Sequence, residues 1–319
     1  MVSVSVIVPT FNDQNTIERT LYSLEAQTRQ DFEVIIVDDG DDGTANIARD
    51  FGYTVIKRNR SGIASALNEG VAQANGQYIA RQDADDTSEL TRLEEQVEYL
   101  NNHEDVGVVG TGAYLWGEET KRGRRHVPEV IKHSDLLEKC HIIHGSVLIR
   151  KDIFEEVGGY DEDLDYIEDL DLWVRMARET KVRNIDEPLY NFTIHGESIY
   201  AERLWKVKLL EQYVRARERT GVPDDVERGV RNGDPSVIIE CLDSDQLAQL
   251  HREMAQEYLR YGRRRRGRNE VRKTISLDPS AIDIPLYFLS LFPEQVTKSV
   301  ANAYRNLLNY RIKKENGHR

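Results

Sequence analysis

Residues 4–9 read Val4-Ser5-Val6-Ile7-Val8-Pro9, and residues 34–40 read Val34-Ile35-Ile36-Val37-Asp38-Asp39-Gly40. Each is a short run rich in β-branched residues, stopped by a proline or by an acidic turn. That pattern predicts strands buried on both faces, as in a parallel sheet. Between them, polar residues 12–16 offer a cap for a helix running to about residue 27. Further helices are expected at 44–51, 62–74 and 88–101, and strands at 54–57, 77–80 and 106–109. In the helix over 62–74, Ala64, Leu67 and Val71 share one face. Alternating units of this length predict an α/β fold, with a mostly parallel sheet covered by helices on both faces. In such sheets ligands sit beyond the carboxyl ends of the strands, so the residues just after each strand are the ones to read for chemistry.

From residue 111 the pattern is less regular. Strands are expected at 114–116, 147–149 and 182–185, helices at 151–157 and 169–179, and a long helix from about 198 towards 219. Gly221-Val222-Pro223-Asp224-Asp225 breaks that helix and marks a boundary between domains. Residues 246–261 and 263–276 resemble one tetratricopeptide-type helix pair. A single pair cannot build a solenoid, so it reads as a local helical hairpin.

Composition narrows the function classes. The 319 residues carry 43 Lys+Arg against 56 Asp+Glu, a formal −13, which disfavours a nucleic-acid partner bound through phosphate neutralisation. Cys140 and Cys241 are the two cysteines, too few for a disulfide scaffold or a Cys-rich zinc module, and they suit a reducing compartment. The opening residues lack a basic leader with an apolar core, and no run approaches the ~20 apolar residues of a membrane span. A cytoplasmic location is therefore expected. Arg263-Arg264-Arg265-Arg266 and Arg268 locally reverse the charge. They read as a solvated helix face or as a patch for anionic lipid headgroups. The apolar stretch 285–292 reads as packed against neighbouring helices or as an interfacial contact.

The chemistry-bearing residues follow the strands. Asp83-Ala84-Asp85-Asp86 comes directly after the strand ending near Arg81. Carboxylates one residue apart on a turn can hold a hard divalent cation that also binds a diphosphate, or they are a solvated acidic loop. Asp38 and Asp39 end another strand. A carboxylate there can accept a hydrogen bond from a nucleobase or a ribose, or cap the helix near Thr44. The loop is not G-x-G-x-x-G, which counts against a dinucleotide-binding dehydrogenase. Asp169, in Glu168-Asp169-Leu170-Asp171-Leu172-Trp173, lies in a first helical turn. There it serves the helix dipole or acts as a general base on an attacking hydroxyl, with Glu168 beside it to raise or orient it. His195 ends a strand-like run and is a solvated loop side chain or an imidazole completing a carboxylate metal site. His144-Gly145-Ser146 can bring backbone N–H groups towards a substrate.

Taken in order, these pieces resemble the family 2 nucleotide-sugar glycosyltransferases of the A-type fold, over residues 3–198. The matching segments are Val6-Ile7-Val8-Pro9-Thr10-Phe11-Asn12, Ile36-Val37-Asp38-Asp39-Gly40, Gly62-Ile63-Ala64 and Ala66-Leu67-Asn68-Glu69-Gly70. They continue with Gly76-Gln77-Tyr78-Ile79-Ala80-Arg81, Asp83-Ala84-Asp85-Asp86, Arg92-Leu93-Glu94, His144-Gly145-Ser146, Gly158-Gly159-Tyr160-Asp161, Glu168-Asp169-Leu170-Asp171-Leu172-Trp173 and Ile194-His195. The resemblance implies a Rossmann-like sheet with a C-terminal helical extension. It implies a catalytic domain over 1–220, with a nucleotide-sugar half at 1–110 and an acceptor half at 111–220, followed by a helical region at 221–319. Pro9, Thr10, Asn12, Asp38, Asp39 and Gly62 are then expected at the nucleotide sugar, with Asp83, Ala84 and Asp85 at its diphosphate. Asp83, Asp85 and His195 are expected at Mg²⁺ or Mn²⁺, and Asp169 as the base. The implied reaction is an inverting, metal-dependent transfer from a nucleoside diphosphate sugar to a hydroxyl of a glycan or lipid-linked acceptor. Peripheral contact with the inner face of the cell membrane is expected through the C-terminal region. Two departures stand out. Gly40-Asp41-Asp42-Gly43 replaces the usual Gly-Ser turn, and Thr193 stands where an Arg often precedes the histidine. The competing classes are a nucleotidyltransferase, which would show a Gly-rich phosphate loop with a Lys or Arg, and an inactive nucleotide-binding scaffold.

Overall fold

A computed structural model of the chain describes residues 2–117, 121–194, 199–280 and 282–301. The chain divides into two compact units, Met1–Gly196 and Glu197–Arg319. The first unit contains strands β1 (Val4–Thr10), β2 (Phe32–Asp38), β3 (Thr54–Lys57), β4 (Tyr78–Arg81), β5 (Thr87–Ser88), β6 (Val106–Trp116), β7 (Lys121–Arg125), β8 (Val130–Ile131), β9 (Leu148–Arg150) and β10 (Lys181–Thr193). Its helices are α1 (Ile17–Glu25), α2 (Thr44–Asp50), α3 (Ile63–Ala72), α4 (Arg92–Asn102), α5 (His133–Glu138), α6 (Lys151–Glu156) and α7 (Glu168–Glu179).

The strands form one sheet in the order β3-β2-β1-β4-β9-β6-β10-β5, with β7 beside β6 and β8 beside β10. The first four are parallel, as their β-branched runs predict. The sheet as a whole is mixed. β9 runs antiparallel to both β4 and β6, because it is entered from the tight turn at His144–Ser146 and not through a crossover helix. β6 and β10 are parallel and far longer than their apolar cores suggest. β10 continues past residue 185 through register shifts around Pro188, whose missing N–H interrupts the ladder. Residues 87–88, expected to open a helix, pair with β10 as β5, and α4 starts at Arg92.

The core follows from the same alternation. Val4, Val6 and Val8 share one face of β1 and lie in a cluster with Ile17, Leu21 and Leu24 of α1 and Leu93, Val97 and Leu100 of α4. The four- and three-residue spacings put each helical set on one stripe. On α3, the buried Ala64, Leu67 and Val71 face β1 and β2. Truncating a side chain as enclosed as Leu21 to Ala costs about 2–5 kcal/mol.

The second unit comprises α8 (Ile199–Arg219), α9 (Asp224–Arg231), α10 (Ser244–Arg260), α11 (Arg264–Leu277) and α12 (Asp283–Leu289). The division between units precedes α8. The Gly221 break, where a boundary was expected, ends that helix, with Gly221 at φ +75°. α10 starts on a reciprocal cap between Asp243 and Gln246 and pairs with α11 as the expected hairpin. Ala255, Leu259, Val271 and Leu286 form its small core. No helix among the described residues is long and apolar enough to cross a membrane.

Candidate active site

The carboxyl ends of β1, β2 and β3 are tied together by Asp38. Its side chain is fully buried and accepts from Thr10 Oγ1 at 2.9 Å, Gly40 N at 3.0 Å and Lys57 Nζ at 2.7 Å. Asp38, expected at the nucleotide, has its side chain turned inward and holds these strand ends. Asp39, the next residue, is buried as well. It accepts from Ser61 N at 2.8 Å and Gly62 N at 3.1 Å, and from Ser61 Oγ at 3.1 Å, which fixes the loop after β3. A carboxylate has about four acceptor sites, so these bonds leave capacity for a ligand N–H. Asn12, in the left-handed region at φ 62°, accepts from Asp41 N at 3.0 Å and joins the loops after β1 and β2. Pro9 is half-buried in β1 beside Thr10. The residues expected at the nucleotide thus lie on neighbouring strand ends and loops.

The acidic turn follows β4. The buried Arg81 guanidinium pairs with Asp83 Oδ2 at 2.7 Å, and Asp83 N donates to Tyr190 Oη at 3.1 Å. Arg92 is fully buried under this turn. It donates to Arg81 O at 2.8 Å, Gln82 Oε1 at 3.0 Å and Gly145 O at 3.2 Å, with its guanidinium 5.4 Å from the Tyr190 ring centre. Gly145 is required by close approach, since a Cβ there would stand 2.2 Å from Tyr190 Oη and 2.5 Å from Asp83 Oδ2. That explains His144-Gly145-Ser146 in the sequence: the backbone must graze Asp83. The Asp85 carbonyl accepts from Arg19 and from Thr193 Oγ1, and the carbonyl of buried Ala84 accepts from Thr20 Oγ1 at 2.9 Å.

Negative charge accumulates here. Burial pushes the Asp13 carboxyl up to about 6 against the pull of the Phe11 N–H, and Asp85, Asp42 and Asp83 add to the rise. Burial, then Asp83 and Asp85, push Asp86 up to about 8, although it accepts from Thr193 N at 2.6 Å. Among the described residues, no three His, Cys, Asp or Glu side chains form a cluster able to hold a metal ion by themselves. A small set of aspartate oxygens is nonetheless the donor chemistry of Mg²⁺ or Mn²⁺ that arrives with phosphate oxygens of its own. Asp83 and Asp85 add to the rise that burial causes at Asp13 and Asp86, and such a cation would relieve that part of it.

The candidate base stands on the first turn of α7. Asp169 is half-buried and accepts from Leu170 N at 2.7 Å. Beside it Glu168 is buried, with Oε1 3.9 Å from His144 Nδ1 and Oε2 without a hydrogen-bond partner. Burial, then Asp169, push Glu168 up to about 8, so its carboxyl is largely protonated at neutral pH. Burial and the Arg81 charge hold the His144 imidazole well below its usual range, hence neutral. His144 Nε2 lies 2.8 Å from Tyr160 Oη. Burial raises the Tyr160 phenol far above its ordinary range; Arg81 opposes this, while Glu168, Asp169 and Asp83 reinforce it. One phenol thus lies within electrostatic reach of both the acidic turn after β4 and the start of α7. Asn68 of α3 fixes that segment, donating to Tyr160 O at 2.9 Å and accepting from Tyr160 N at 2.9 Å. Gly159, at φ +70°, lets the chain turn against Asn68 Oδ1.

His195 lies outside the described residues. Sequence reasoning assigned no role to Asp13, Asp86, Arg81, Tyr160 or Tyr190. Asp86 closes the quoted acidic turn and Arg81 precedes it. Tyr190 opens the strand-like run before His195, and only the fold brings its hydroxyl to Asp83.

Comparison with known proteins gives the family. The model of glycosyl transferase family 2 matches residues 5–158. EpsE of Bacillus subtilis (strain 168) is 33% identical over 198 residues, covering 59% of this chain and 71% of that protein. The uncharacterized glycosyltransferase MJ1057 of Methanocaldococcus jannaschii is 30% identical over 66% of this chain and 77% of its own length. Two solved structures share the fold. TarS 1-349 of S. aureus, in complex with UDP-GlcNAc, aligns at TM-score 0.55 and 16% identity, covering 96% of this chain and 92% of that one. The mannosyltransferase PcManGT of Pyrobaculum calidifontis, in complex with GDP-Man and Mn²⁺, aligns at TM-score 0.56 and 18% identity, covering 96% and 87%. With EpsE matched at this identity over most of its length, the chain belongs to glycosyl transferase family 2 and is a nucleotide-sugar glycosyltransferase of the A-type fold.

Proposed function

We propose that the enzyme moves a sugar from a nucleoside diphosphate donor to an acceptor hydroxyl, inverting the anomeric centre, with a divalent cation in the donor site. Pro9, Thr10, Asn12 and Gly62 line the nucleoside pocket in this reading, and Asp39 accepts an N–H from the base. Asp38 keeps the strand ends in place. Asp83, Ala84 and Asp85 face the diphosphate, with Asp83 and Asp85, joined by His195, as the candidate ligands of Mg²⁺ or Mn²⁺. When bound, that cation neutralises the charge growing on the departing nucleoside diphosphate. The neighbours PcManGT and TarS, bound to GDP-Man with Mn²⁺ and to UDP-GlcNAc, support a donor of this class.

The chain supplies the proton transfer and the orientation. Asp169 takes the proton of the acceptor hydroxyl as that oxygen attacks the anomeric carbon. Glu168, held neutral, adds no second negative charge beside the base. One displacement, with no covalent intermediate, inverts configuration, the logic that separates the two carboxylate routes of glycosidases. Orientation and fixed charge provide the acceleration. The acceptor is a glycan or lipid-linked sugar in glycan biosynthesis, met in the cytoplasm with the C-terminal region against the inner face of the membrane.

The observation that carries the reading is that Tyr160, whose Oη lies 2.8 Å from His144 Nε2, is within electrostatic reach of both Asp83 and Asp169. The Asp169→Asn variant tests it. Turnover should vanish while nucleoside diphosphate binding stays within a few-fold of wild type. Equal loss of both would remove the base assignment. The donor itself is found by thermal shift with UDP, GDP and their sugar conjugates, with and without Mn²⁺.

A further inference from the structure

Residues 263–319 carry 13 Lys and Arg against 5 Asp and Glu, a formal +8 at the end of a chain whose total is −13. The described part of this region, residues 263–280 and 282–301, holds 8 of those Lys and Arg and 4 of the Asp and Glu, beside an unusual surface. Ile284, Phe288, Leu291, Phe292, Val296 and Val300 are all exposed, by 43% to 60%. Ile284 and Phe288 lie four residues apart on one face of α12. The other side of α12 is anchored: Leu286 packs with Ala255, Leu259 and Val271, and buried Asp283 pairs with Arg252 at 3.0 Å. The exposed face is therefore held in place and is not left over from loose packing.

The arginines of α11 border that face. Arg264, Arg268 and Arg272 recur every four residues, which puts them on one stripe of the helix. Arg264 Nη1 donates to Phe292 O at 2.6 Å and Arg268 Nη2 to Ser290 O at 2.8 Å. Arg272 lies with its guanidinium 5.7 Å from the Tyr287 ring centre. Cationic side chains thus flank the exposed phenylalanines over the length of the ridge.

We propose that this ridge docks the enzyme on a bilayer containing anionic lipid, with the exposed apolar side chains entering the headgroup boundary and the arginines meeting lipid phosphates. Charge complementarity selects this occupant. A basic region with aromatic and aliphatic residues between its charges is suited to an anionic interface. Residues 1–262 are acidic, so the same lipid surface repels them. The inference deepens the peripheral membrane contact proposed above, and it stands or falls separately from the glycosyl transfer.

The test is sedimentation of the full chain with vesicles of phosphatidylcholine alone and of phosphatidylcholine mixed with phosphatidylglycerol. The protein should pellet with the mixed vesicles at low salt, be released at high salt, and stay in solution with phosphatidylcholine alone. Phe288→Ser and Arg265→Glu, both at exposed positions, should each weaken mixed-vesicle binding by about tenfold. Both should keep the wild-type melting temperature and the wild-type hydrolysis of donor in free solution. Failure to bind mixed vesicles at low salt would overturn the proposal. So would equal binding to both vesicle types, or a lipid-independent dimer that Phe288→Ser disperses. Absence of donor hydrolysis in wild type without vesicles would instead count against the glycosyltransferase mechanism.

Discussion

Glu168 shows how one side chain reports on the whole site. Its carboxyl is buried, one oxygen lacks a partner, and Asp169 adjoins it, so its folded value sits near 8 against an ordinary value of 4.5. Between those values the unfolded chain has released the proton and the folded chain still holds it. Stability from this group is therefore complete below the ordinary value and is lost as pH rises towards 8. Glu168→Gln removes that loss. Its melting temperature should fall less than that of wild type between pH 5 and pH 8, with the two curves furthest apart at the alkaline end. Parallel curves would show that Glu168 ionises normally in the folded protein. At this scale the aspartates were legible because they stand directly after β-branched runs, where ligands meet such sheets. The inward turn of Asp38 was not, since burial by Lys57 and Thr10 arises from strands distant in sequence.

Among elements, the acidic turn after β4 depends on parts that arrive later in the chain. Tyr190 comes from β10 and Gly145 from the turn before β9, and they meet at Asp83. Gly145→Ala should push Asp83 and Tyr190 apart and lower turnover by at least tenfold, because a methyl group has no room at 2.2 Å from the phenol oxygen. Tyr190→Phe leaves the Asp83 N–H without its acceptor and should cost about 1–3 kcal/mol of stability. Chemical denaturation and steady-state rates measure both, and wild-type values for Gly145→Ala would refute the close approach. The helices and the first four strands could be read from periodicity, since each buries one regular face. In the second half β9, α6 and α7 were also expected close to where they lie, but the direction of β9 and the full length of β10 were not legible. β10 crosses Pro188 through register shifts, and β9 is three residues long, so neither leaves a clean alternation.

For the whole molecule, the proposed donor site lies at the carboxyl ends of β1 to β4 in the first unit, and the second unit carries a basic, apolar surface. In the proposed reaction, aspartates from separate loops serve a cation and a diphosphate together. Calorimetric titration of UDP and of GDP into wild type and Asp85→Ala, each with and without Mn²⁺, measures this directly. Wild type should bind one of the two nucleotides at least tenfold more tightly with Mn²⁺, and Asp85→Ala should lose that enhancement while keeping its fold. An Asp85→Ala protein with undiminished Mn²⁺ enhancement, or a wild type that binds equally well without the ion, would contradict the account.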